Sequence, residues 1–268
     1  MTKRNIFKRA ASLLLALILV FSAGVSLAFA DAKADSYKYP CIFVHGILGY
    51  GDNDKLNSVT PYWGMQYKED LMKSLNARGY DCHAASVGPL SSAWDRACEL
   101  YAQLTGTIVD YGEAHSRECG HSRYGRDYTG RATMGTPWNL ESPLNFVGHS
   151  FGGETIRLLA SLLAYGNETE MNADKNNCSE LFKGGHEKGI HSVTTIASPH
   201  NGSTVSNYVS DSFVPSFLMI LILQARCVSG KSVNDLMLDQ WGITKDPASG
   251  EKASLNPLAC LKIALSKS

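Results

Sequence analysis

The sequence lacks a strong charge of either sign, and this absence excludes one class of partner. Its 268 residues contain 25 basic and 25 acidic side chains, a formal net charge of zero. The first 30 residues hold four basic and no acidic side chains, so residues 31–268 carry a small acidic excess. Nucleic-acid-binding domains normally have a basic patch and a positive charge. We therefore expect no nucleic-acid partner.

Closely spaced cysteine pairs are also missing. The seven cysteines are an odd number, and none of them forms a CxxC pair. Dense spacing is typical of small disulfide scaffolds, and CxxC pairs are typical of many zinc and redox sites. Export would permit disulfides without requiring them, but this pattern favours buried free thiols. The cysteines are Cys41, Cys82, Cys98, Cys119, Cys178, Cys227 and Cys260.

The first 30 residues have the three-part pattern of a secretory signal peptide. A basic segment, Lys3–Arg9, precedes the apolar run Ala10–Val20, and small residues end the segment at Ala28–Ala30. The pattern predicts a signal peptide at residues 1–30 and secretion of residues 31–268. The alternative is a membrane anchor. The apolar run is short for a membrane span, so we expect no stable anchor.

Internal repeats and low-complexity tracts are absent, and strand and helix patterns alternate instead. Such alternation predicts an α/β fold with a mostly parallel sheet. Strands are predicted at 41–46, 81–88, 144–147 and from 191 onward, and helices at 71–80, 91–104 and 152–166. Two segments without a clear period are interpreted as a long loop or insertion, 107–140, and a polar linker, 167–189.

The motif Gly148-His149-Ser150-Phe151-Gly152 stands between a buried strand pattern and an amphipathic helix pattern. GxSxG in this context is typical of a strained turn that exposes a serine nucleophile. The N-terminus of the following helix favours negative charge that develops at Ser150. An ordinary Gly/Ser turn is the alternative. We predict that Ser150 is the nucleophile and that His149 is a structural neighbour.

A second glycine motif, His45-Gly46-Ile47-Leu48-Gly49, follows the first predicted strand. Glycines at this position allow backbone N–H groups to approach a substrate carbonyl. The expected oxyanion donors are the N–H groups of Ile47 and Phe151, the residue after the nucleophile. His45 is interpreted as a histidine that anchors the loop, rather than as a catalytic group.

These segments together resemble the zinc-containing secreted triacylglycerol lipases of thermophilic bacilli and staphylococci, a branch of the α/β-hydrolases. The matching segments run from Tyr39 to Gly242 and include "YPCIFVHGILG", "PYWG", "FVGHSFGGETIRLL" and "LDQWG". The long segment from "VGPLSSAWDRACE" to "GHSRYGRDY" is the most specific. The resemblance implies a partial α/β-hydrolase fold with a zinc-binding insertion. It also implies hydrolysis of acylglycerols through Ser150. Phe151 and Ile47 replace the family's usual glutamine and phenylalanine, which leaves the backbone donors in place.

The resemblance also implies a structural zinc site. Its ligands would be Asp95 in "WDRACE", His115 and His121 in "AHSRECGH", and Asp239 in "LDQWG". Two imidazoles and two carboxylates make a closed tetrahedral set, which suits a structural zinc. Spacing alone would be a poor metal signal. Cys119, between the histidines, is either a competing soft ligand or a buried thiol.

Other expectations follow from position relative to the family. The apolar segment at about 212–237 falls where the family has a lid that opens on a lipid surface, although a core segment is the alternative. The family's calcium site and the acid and base of its triad lie beyond "LDQWG". No histidine follows His200. We therefore expect a C-terminally truncated lipase domain, residues 31–268, that lacks the triad acid and base.

Three functions remain open at this point. The chain is a secreted lipase acting on lipid or ester substrates at an interface, or a non-catalytic zinc- or lipid-binding remnant. The third possibility is an esterase with a recruited base, for which His200 is the candidate. Hydrolysis of a soluble p-nitrophenyl ester distinguishes these functions. The strand at "SVTTIAS" is expected to form an unpaired sheet edge, which is an aggregation hazard.

Overall fold

A computed structural model describes residues 38–64, 69–202, 237 and 239–241. The chain divides into two units, Met1–Tyr39 and Pro40–Ser268, and all the helices and strands given below belong to the second. The predicted signal peptide lies outside the described residues. So does the predicted lid, apart from Met237.

Strands and helices alternate along the described chain. The strands are β1 Cys41–Val44, β2 Cys82–Ala85, β3 Ile108–Asp110, β4 Tyr124–Asp127, β5 Leu144–His149 and β6 Ile190–Ile196. The helices are α1 Lys55–Val59, α2 Leu71–Ala77, α3 Ala93–Thr105, α4 Glu113–Cys119, α5 Phe151–Tyr165 and α6 Glu168–Ala173. Short 3₁₀ helices lie at Glu180–Phe182, Glu187–Gly189 and Asp239–Trp241.

A four-stranded parallel sheet forms the centre of the fold, in the order β2-β1-β5-β6. The inner strands β1 and β5 are covered on both faces, and Ile42, Val44 and Phe146 are fully buried. A run of apolar residues without alternation is what such a doubly covered parallel strand requires. The prediction of an α/β fold with a mostly parallel sheet is confirmed.

Helix α5 packs against this sheet, and helix α3 packs against α5 and against strand β3. The four apolar residues of α5 that share one face are all buried: Ile156, Leu159, Leu162 and Leu163. Burial of such a side chain is worth about 1.5–3 kcal/mol, so this face fixes the helix that follows the serine motif. Helix α3 begins where the serines predicted it, because the Ser92 side chain accepts a hydrogen bond from the Asp95 N–H at 3.1 Å.

Of the two interpretations of the segment 107–140, a long loop or an insertion, the loop is wrong, because the segment contains regular structure. Strands β3 and β4 pair antiparallel, and helix α4 lies between them in sequence. Arg123 fixes this unit through bonds to Asp110 (Nε–Oδ1, 2.9 Å) and Asp174 (Nη1–Oδ2, 2.6 Å). Strands of three and four residues are too short to show a period, which is why the sequence pattern missed them. The linker prediction at 167–189 is also wrong, since α6 lies there; its six residues are mostly polar and show no apolar period.

No helix in the described part of the chain has both the length and the apolar character needed to cross a membrane.

Strand β6 lies at the edge of the described sheet, and it exposes apolar side chains. Val193 is 41% exposed and Ile196 is 46% exposed. An exposed apolar edge strand is a template for pairing with another chain.

We predict that Val193→Lys strongly slows aggregation of residues 31–268, measured by light scattering at rising protein concentration. Tyr165→Lys adds the same charge at an 84% exposed position on α5 and should change little. Equal effects of the two substitutions would contradict a role for the edge.

Candidate active site and metal centre

Ser150 occupies a strained turn between β5 and α5. Its backbone has φ 52° and ψ −126°, a conformation that is rare for a residue with a side chain. Such a conformation costs about 1–3 kcal/mol of stability and persists only where the surrounding structure holds it in place. The Ser150 N–H donates to the Ile196 carbonyl at 2.8 Å, which ties the turn to the end of β6.

Two glycines make this turn possible. A Cβ on Gly148 would lie 2.6 Å from the Gly153 nitrogen, and one on Gly152 would lie 2.1 Å from the Val44 carbonyl oxygen. Both distances are well below van der Waals contact, so any side chain at these positions would push the helix off the sheet. The GxSxG pattern is therefore a requirement of packing around Ser150.

The glycine loop after β1 lies directly beside Ser150. A Cβ on Gly46 would lie 2.8 Å from Ser150 Cβ and 3.3 Å from Ser150 Oγ. Within the described part of the chain, neither the Ile47 N–H nor the Phe151 N–H donates a hydrogen bond. Phe151 is the first residue of α5, where a backbone N–H has no partner within the helix. The structure thus brings Ser150, Ile47 and Phe151 together in one place.

Tyr62 connects the glycine loop to the serine turn. Its hydroxyl accepts a hydrogen bond from the Gly46 N–H at 3.0 Å and lies 2.6 Å from His149 Nδ1. His149 is therefore held from the side by Tyr62, in agreement with the structural role predicted for it. The "PYWG" segment contained this residue, but nothing in the pattern indicated its contact with the serine turn.

Arg96 supports the glycine loop after β1 from the protein interior. Its fully buried guanidinium donates to the His45 carbonyl, to the Gly88 carbonyl at 2.7 Å and to Thr155 Oγ1 at 2.9 Å. It also lies over the Phe151 ring, with Cζ 5.3 Å from the ring centroid. Burial lowers the pKa of Arg96 to about 10. One buried side chain therefore contacts both segments that carry the predicted oxyanion donors.

His45 is fully buried and anchors the glycine loop. Its Nε2 accepts from the Val87 N–H at 3.3 Å, so Nδ1 carries the proton and donates to the Gly46 carbonyl at 2.9 Å. Burial, together with the charge of Arg96, lowers the pKa of His45 to about 3. A histidine held neutral in this way has a structural role, as the sequence suggested.

A general base is not found beside Ser150 among the described residues. No hydrogen bond joins Ser150 Oγ to any described histidine. His200, the candidate for recruitment, has Nε2 3.1 Å from Thr195 Oγ1 and Nδ1 3.4 Å from a carboxylate oxygen of Glu154. The structure therefore places His200 near the end of β6, in contact with other partners.

Three of the four predicted zinc ligands converge next to the β3–β4 hairpin. Asp95 Oδ1 lies 2.9 Å from His115 Nε2 and 3.8 Å from His121 Nε2, and the two imidazole centroids are 5.3 Å apart. Trp94 stacks on the His115 ring at 5.2 Å, which fixes its orientation. Burial lowers the pKa of His121, which favours the neutral imidazole that a metal needs.

Asp239, the fourth predicted ligand, lies in the 3₁₀ helix Asp239–Trp241 next to this group. Tyr111 connects the two, since its ring lies 5.4 Å from the His121 ring and its hydroxyl donates to Gln240 at 3.3 Å. Asp239 Oδ2 accepts from Arg126 Nη2 at 2.7 Å. A zinc ion bound here would therefore share this carboxylate with Arg126.

Cys119 offers a different ligand set. The ligand atoms of His115, Cys119 and His121 lie within 4.8 Å of one another, close enough to hold one metal ion. Cys119 Sγ lies 3.7 Å from His115 Nδ1, whereas Asp95 faces Nε2 of the same ring. Asp95 and Cys119 therefore face opposite nitrogens of the His115 ring.

A buried glutamate that the sequence did not single out positions His115. Glu170 on α6 accepts from the backbone N–H groups of Ala114 (2.9 Å) and His115 (2.8 Å) at the start of α4. A carboxylate at a helix N-terminus satisfies donors that have no partner in the helix. No sequence signal connected Glu170 to this helix, because the two lie 55 residues apart.

A strand, a sharp turn at a serine and a helix, built on a parallel sheet, define the α/β-hydrolase fold. Comparison with known families agrees. The family described as "Lipase-like, C-terminal domain" matches residues 37–255. The chain belongs to this lipase family.

Individual relatives lead to the same family. Lipase 2 of Staphylococcus aureus (strain MRSA252) is 39% identical over 214 residues, which are 78% of this chain and 30% of that protein. The crystal structure of Staphylococcus hyicus lipase has a TM-score of 0.68 and 37% identity, covering 87% of this chain and 59% of the other. EstA from Clostridium botulinum has a TM-score of 0.66 and 39% identity, covering 89% and 54%. The chain thus spans about a third of the curated relatives and somewhat over half of the solved structures.

Proposed function

We propose that the chain carries the nucleophile and oxyanion part of a lipase that hydrolyses acylglycerol esters. One observation carries this proposal: the glycine loop and the N-terminus of α5 meet at Ser150, with two backbone N–H groups that have no acceptor among the described residues. Relatives named lipase support the choice of ester bonds in lipids. In this proposal Ile47 and Phe151 are the oxyanion donors.

The proposed chemistry is acyl transfer. Ser150 Oγ attacks the ester carbonyl carbon, and the carbonyl oxygen becomes an oxyanion. The N–H groups of Ile47 and Phe151 donate to this oxyanion, and the N-terminal end of α5 adds a favourable dipole. Backbone donors fixed before the reaction cost no reorganisation when the charge forms. None of the described residues is placed to take the serine proton, so the proposal requires a base from outside the described site.

A chimera tests this proposal. The part of Staphylococcus hyicus lipase that follows its region of similarity is appended to this chain, and hydrolysis of p-nitrophenyl butyrate is measured. We expect hydrolysis that disappears in Ser150→Ala and persists in Ser142→Ala, a loop serine away from the turn. Circular dichroism of each protein checks the fold. Activity that survives Ser150→Ala would rule out Ser150 as the nucleophile.

We also propose a structural zinc site formed by Asp95, His115, His121 and Asp239. The convergence of three of these side chains supports it, and so does the chemistry of the set, two imidazoles with two carboxylates. When bound, zinc would hold α3, α4 and the 3₁₀ helix at Asp239 together. Asp95 and Glu170 orient His115 from opposite ends, one at its ring and the other at its backbone.

Metal analysis distinguishes the two possible ligand sets. We predict about one zinc per chain after dialysis of residues 31–268, because a closed four-ligand site retains its ion. The pair His115→Ala and His121→Ala should lose the zinc. Asp239→Asn should weaken binding, and Cys119→Ser should leave it unchanged. The reverse result, with Cys119 required and Asp239 dispensable, would assign the site to the His-Cys-His set.

A second function is a non-catalytic zinc- or lipid-binding protein. The observation that favours it is the engagement of His200 by Thr195 and Glu154, which leaves Ser150 without a base among the described residues. Binding to lipid vesicles without ester hydrolysis in the chimera would support this alternative.

We also propose that residues 1–30 are a signal peptide that directs secretion. The segment at about 212–237 is proposed as a lid. Both are supported by the pattern and position of their residues, and by the family to which the chain belongs. A calcium site beyond the "LDQWG" segment remains a prediction from the resemblance.

A further inference from the structure

Two cysteines face each other on neighbouring strands. Cys41 begins β1, Cys82 begins β2, and the two residues are register partners in the parallel ladder. Register partners place their side chains on the same face of a sheet. Here that face carries a small apolar cluster, which includes Phe43 and Trp63. Cys82 is buried in this cluster, and Cys41 packs against it.

The spacing of paired strands suits a covalent bond between these sulfurs. Neighbouring strands lie about 4.7–4.9 Å apart, and disulfides join Cα atoms about 4.4–6.8 Å apart. We propose that Cys41 and Cys82 are a modification site: they form a reversible cross-strand disulfide when the folded chain meets a low-molecular-weight disulfide. This inference does not depend on the proposed lipase function.

The other described cysteines do not form such a pair. All five described cysteines, including Cys41 and Cys82, are free thiols. Cys98 is buried in the main core on α3, and Cys119 lies against His115. Cys178 lies 3.7 Å from the carbonyl oxygen of Ser179, to which its thiol donates. Of the described cysteines, only Cys41 and Cys82 are register partners on neighbouring strands.

Cys41 is the thiol that attacks first. It is half-buried, whereas Cys82 is 2% exposed. Burial raises the pKa of both thiols, that of Cys82 to about 12, while the hydrogen bond from Cys82 lowers the pKa of Cys41. Cys41 therefore supplies the larger thiolate fraction at any pH, and the thiolate is the nucleophile in exchange. Because both pKa values are raised, oxidation should accelerate as the pH rises from neutral to about 9.

The exchange is balanced with oxidised glutathione as the oxidant. The Cys41 thiolate attacks one glutathione sulfur, forms a mixed disulfide and releases one glutathione thiolate. Cys82 then loses its proton, and its sulfur attacks the Cys41 sulfur and releases the second glutathione thiolate. The two protons from the cysteines end on the two glutathione thiols. The sulfur–sulfur bond of the oxidant is thus replaced by one in the protein.

Reversibility follows from the strand pairing. The ladder fixes both backbones before the bond forms, so the disulfide cannot adopt its preferred geometry freely. Disulfides held away from that geometry are reduced more readily than relaxed ones. Mild thiol reductants should therefore restore both thiols without unfolding the chain.

Peptide mapping tests the proposal. The folded 268-residue chain is treated with oxidised glutathione, blocked with N-ethylmaleimide and digested with trypsin. Cys41 and Cys82 lie in different tryptic peptides, residues 39–55 and 79–96, and Cys98 lies in a third. We expect the first two joined, with a mass two hydrogens below their sum. Recovery of both as blocked, separate peptides would overturn the proposal, and so would a link that forms only in urea.

Matched variants identify the order of attack. Cys82→Ser should stop at a glutathione adduct on Cys41, because the second thiol is missing. Cys41→Ser should yield no adduct on the buried Cys82. Cys98→Ser should still form the 39–55 to 79–96 link. An adduct on Cys82 in the folded Cys41→Ser protein would contradict the assigned order, and loss of the link in Cys98→Ser would contradict the pair itself.

Discussion

Residues 31–268 should hydrolyse p-nitrophenyl butyrate at least about 10²-fold more slowly than the chimera with an appended lipase C-terminal part. Proton transfer by a positioned base is worth about 10²–10⁴-fold, and no base lies at Ser150 among the described residues. The oxyanion donors alone leave some catalysis, since loss of a triad member typically leaves about 10³–10⁴-fold over water. Initial rates at equal protein concentration measure the difference.

Two variants of residues 31–268 serve as controls. Ser150→Ala should change the residual rate little, because an unactivated hydroxyl contributes little as a nucleophile. His200→Ala should also have little effect, since His200 contacts Thr195 and Glu154. Rapid turnover that vanishes in Ser150→Ala would contradict the prediction. If it also vanished in His200→Ala, the base would be His200.

The Arg96→Met substitution should lower the free energy of unfolding by about 2–6 kcal/mol. Methionine keeps much of the volume but removes the buried donor of the His45 and Gly88 carbonyls, at about 1–3 kcal/mol each. The Gly88 carbonyl keeps a longer bond from the Ser91 N–H at 3.4 Å. Burial lowers the pKa of Arg96 to about 10, so removing this buried charge offsets part of the loss, and the decrease is expected in the lower half of that range. Urea unfolding of residues 31–268, followed by circular dichroism, measures the change.

Arg157 provides a matched control on the protein surface. Its side chain is exposed and donates to the His200 carbonyl at 3.2 Å. Exposed substitutions away from special features usually stay within about 0.5 kcal/mol, so Arg157→Met should leave the unfolding midpoint nearly unchanged. If Arg96→Met were as mild as Arg157→Met, the network that joins Arg96 to the glycine loop would not contribute to stability.

The sequence by itself determined the central part of this protein. The apolar run at Cys41–Val44, the serine motif and the helical face from Ile156 to Leu163 lie where their patterns predicted them. These patterns are local, because a strand or helix covered by a core must repeat apolar residues at its own period. The glycines of the GxSxG motif could also be predicted from the sequence, since the backbone approaches too closely at both positions for any side chain.

Only the tertiary structure decided which distant residues support the site. Arg96 meets His45 and Thr155 across 51 and 59 residues, and Glu170 reaches His115 across 55. The pairing of Cys41 with Cys82 likewise depends on the order and register of the strands. Short strands such as β3 and β4 also escaped the pattern, since three or four residues show no period. Contacts between residues far apart in sequence depend on how the elements pack, and no local pattern encodes that packing.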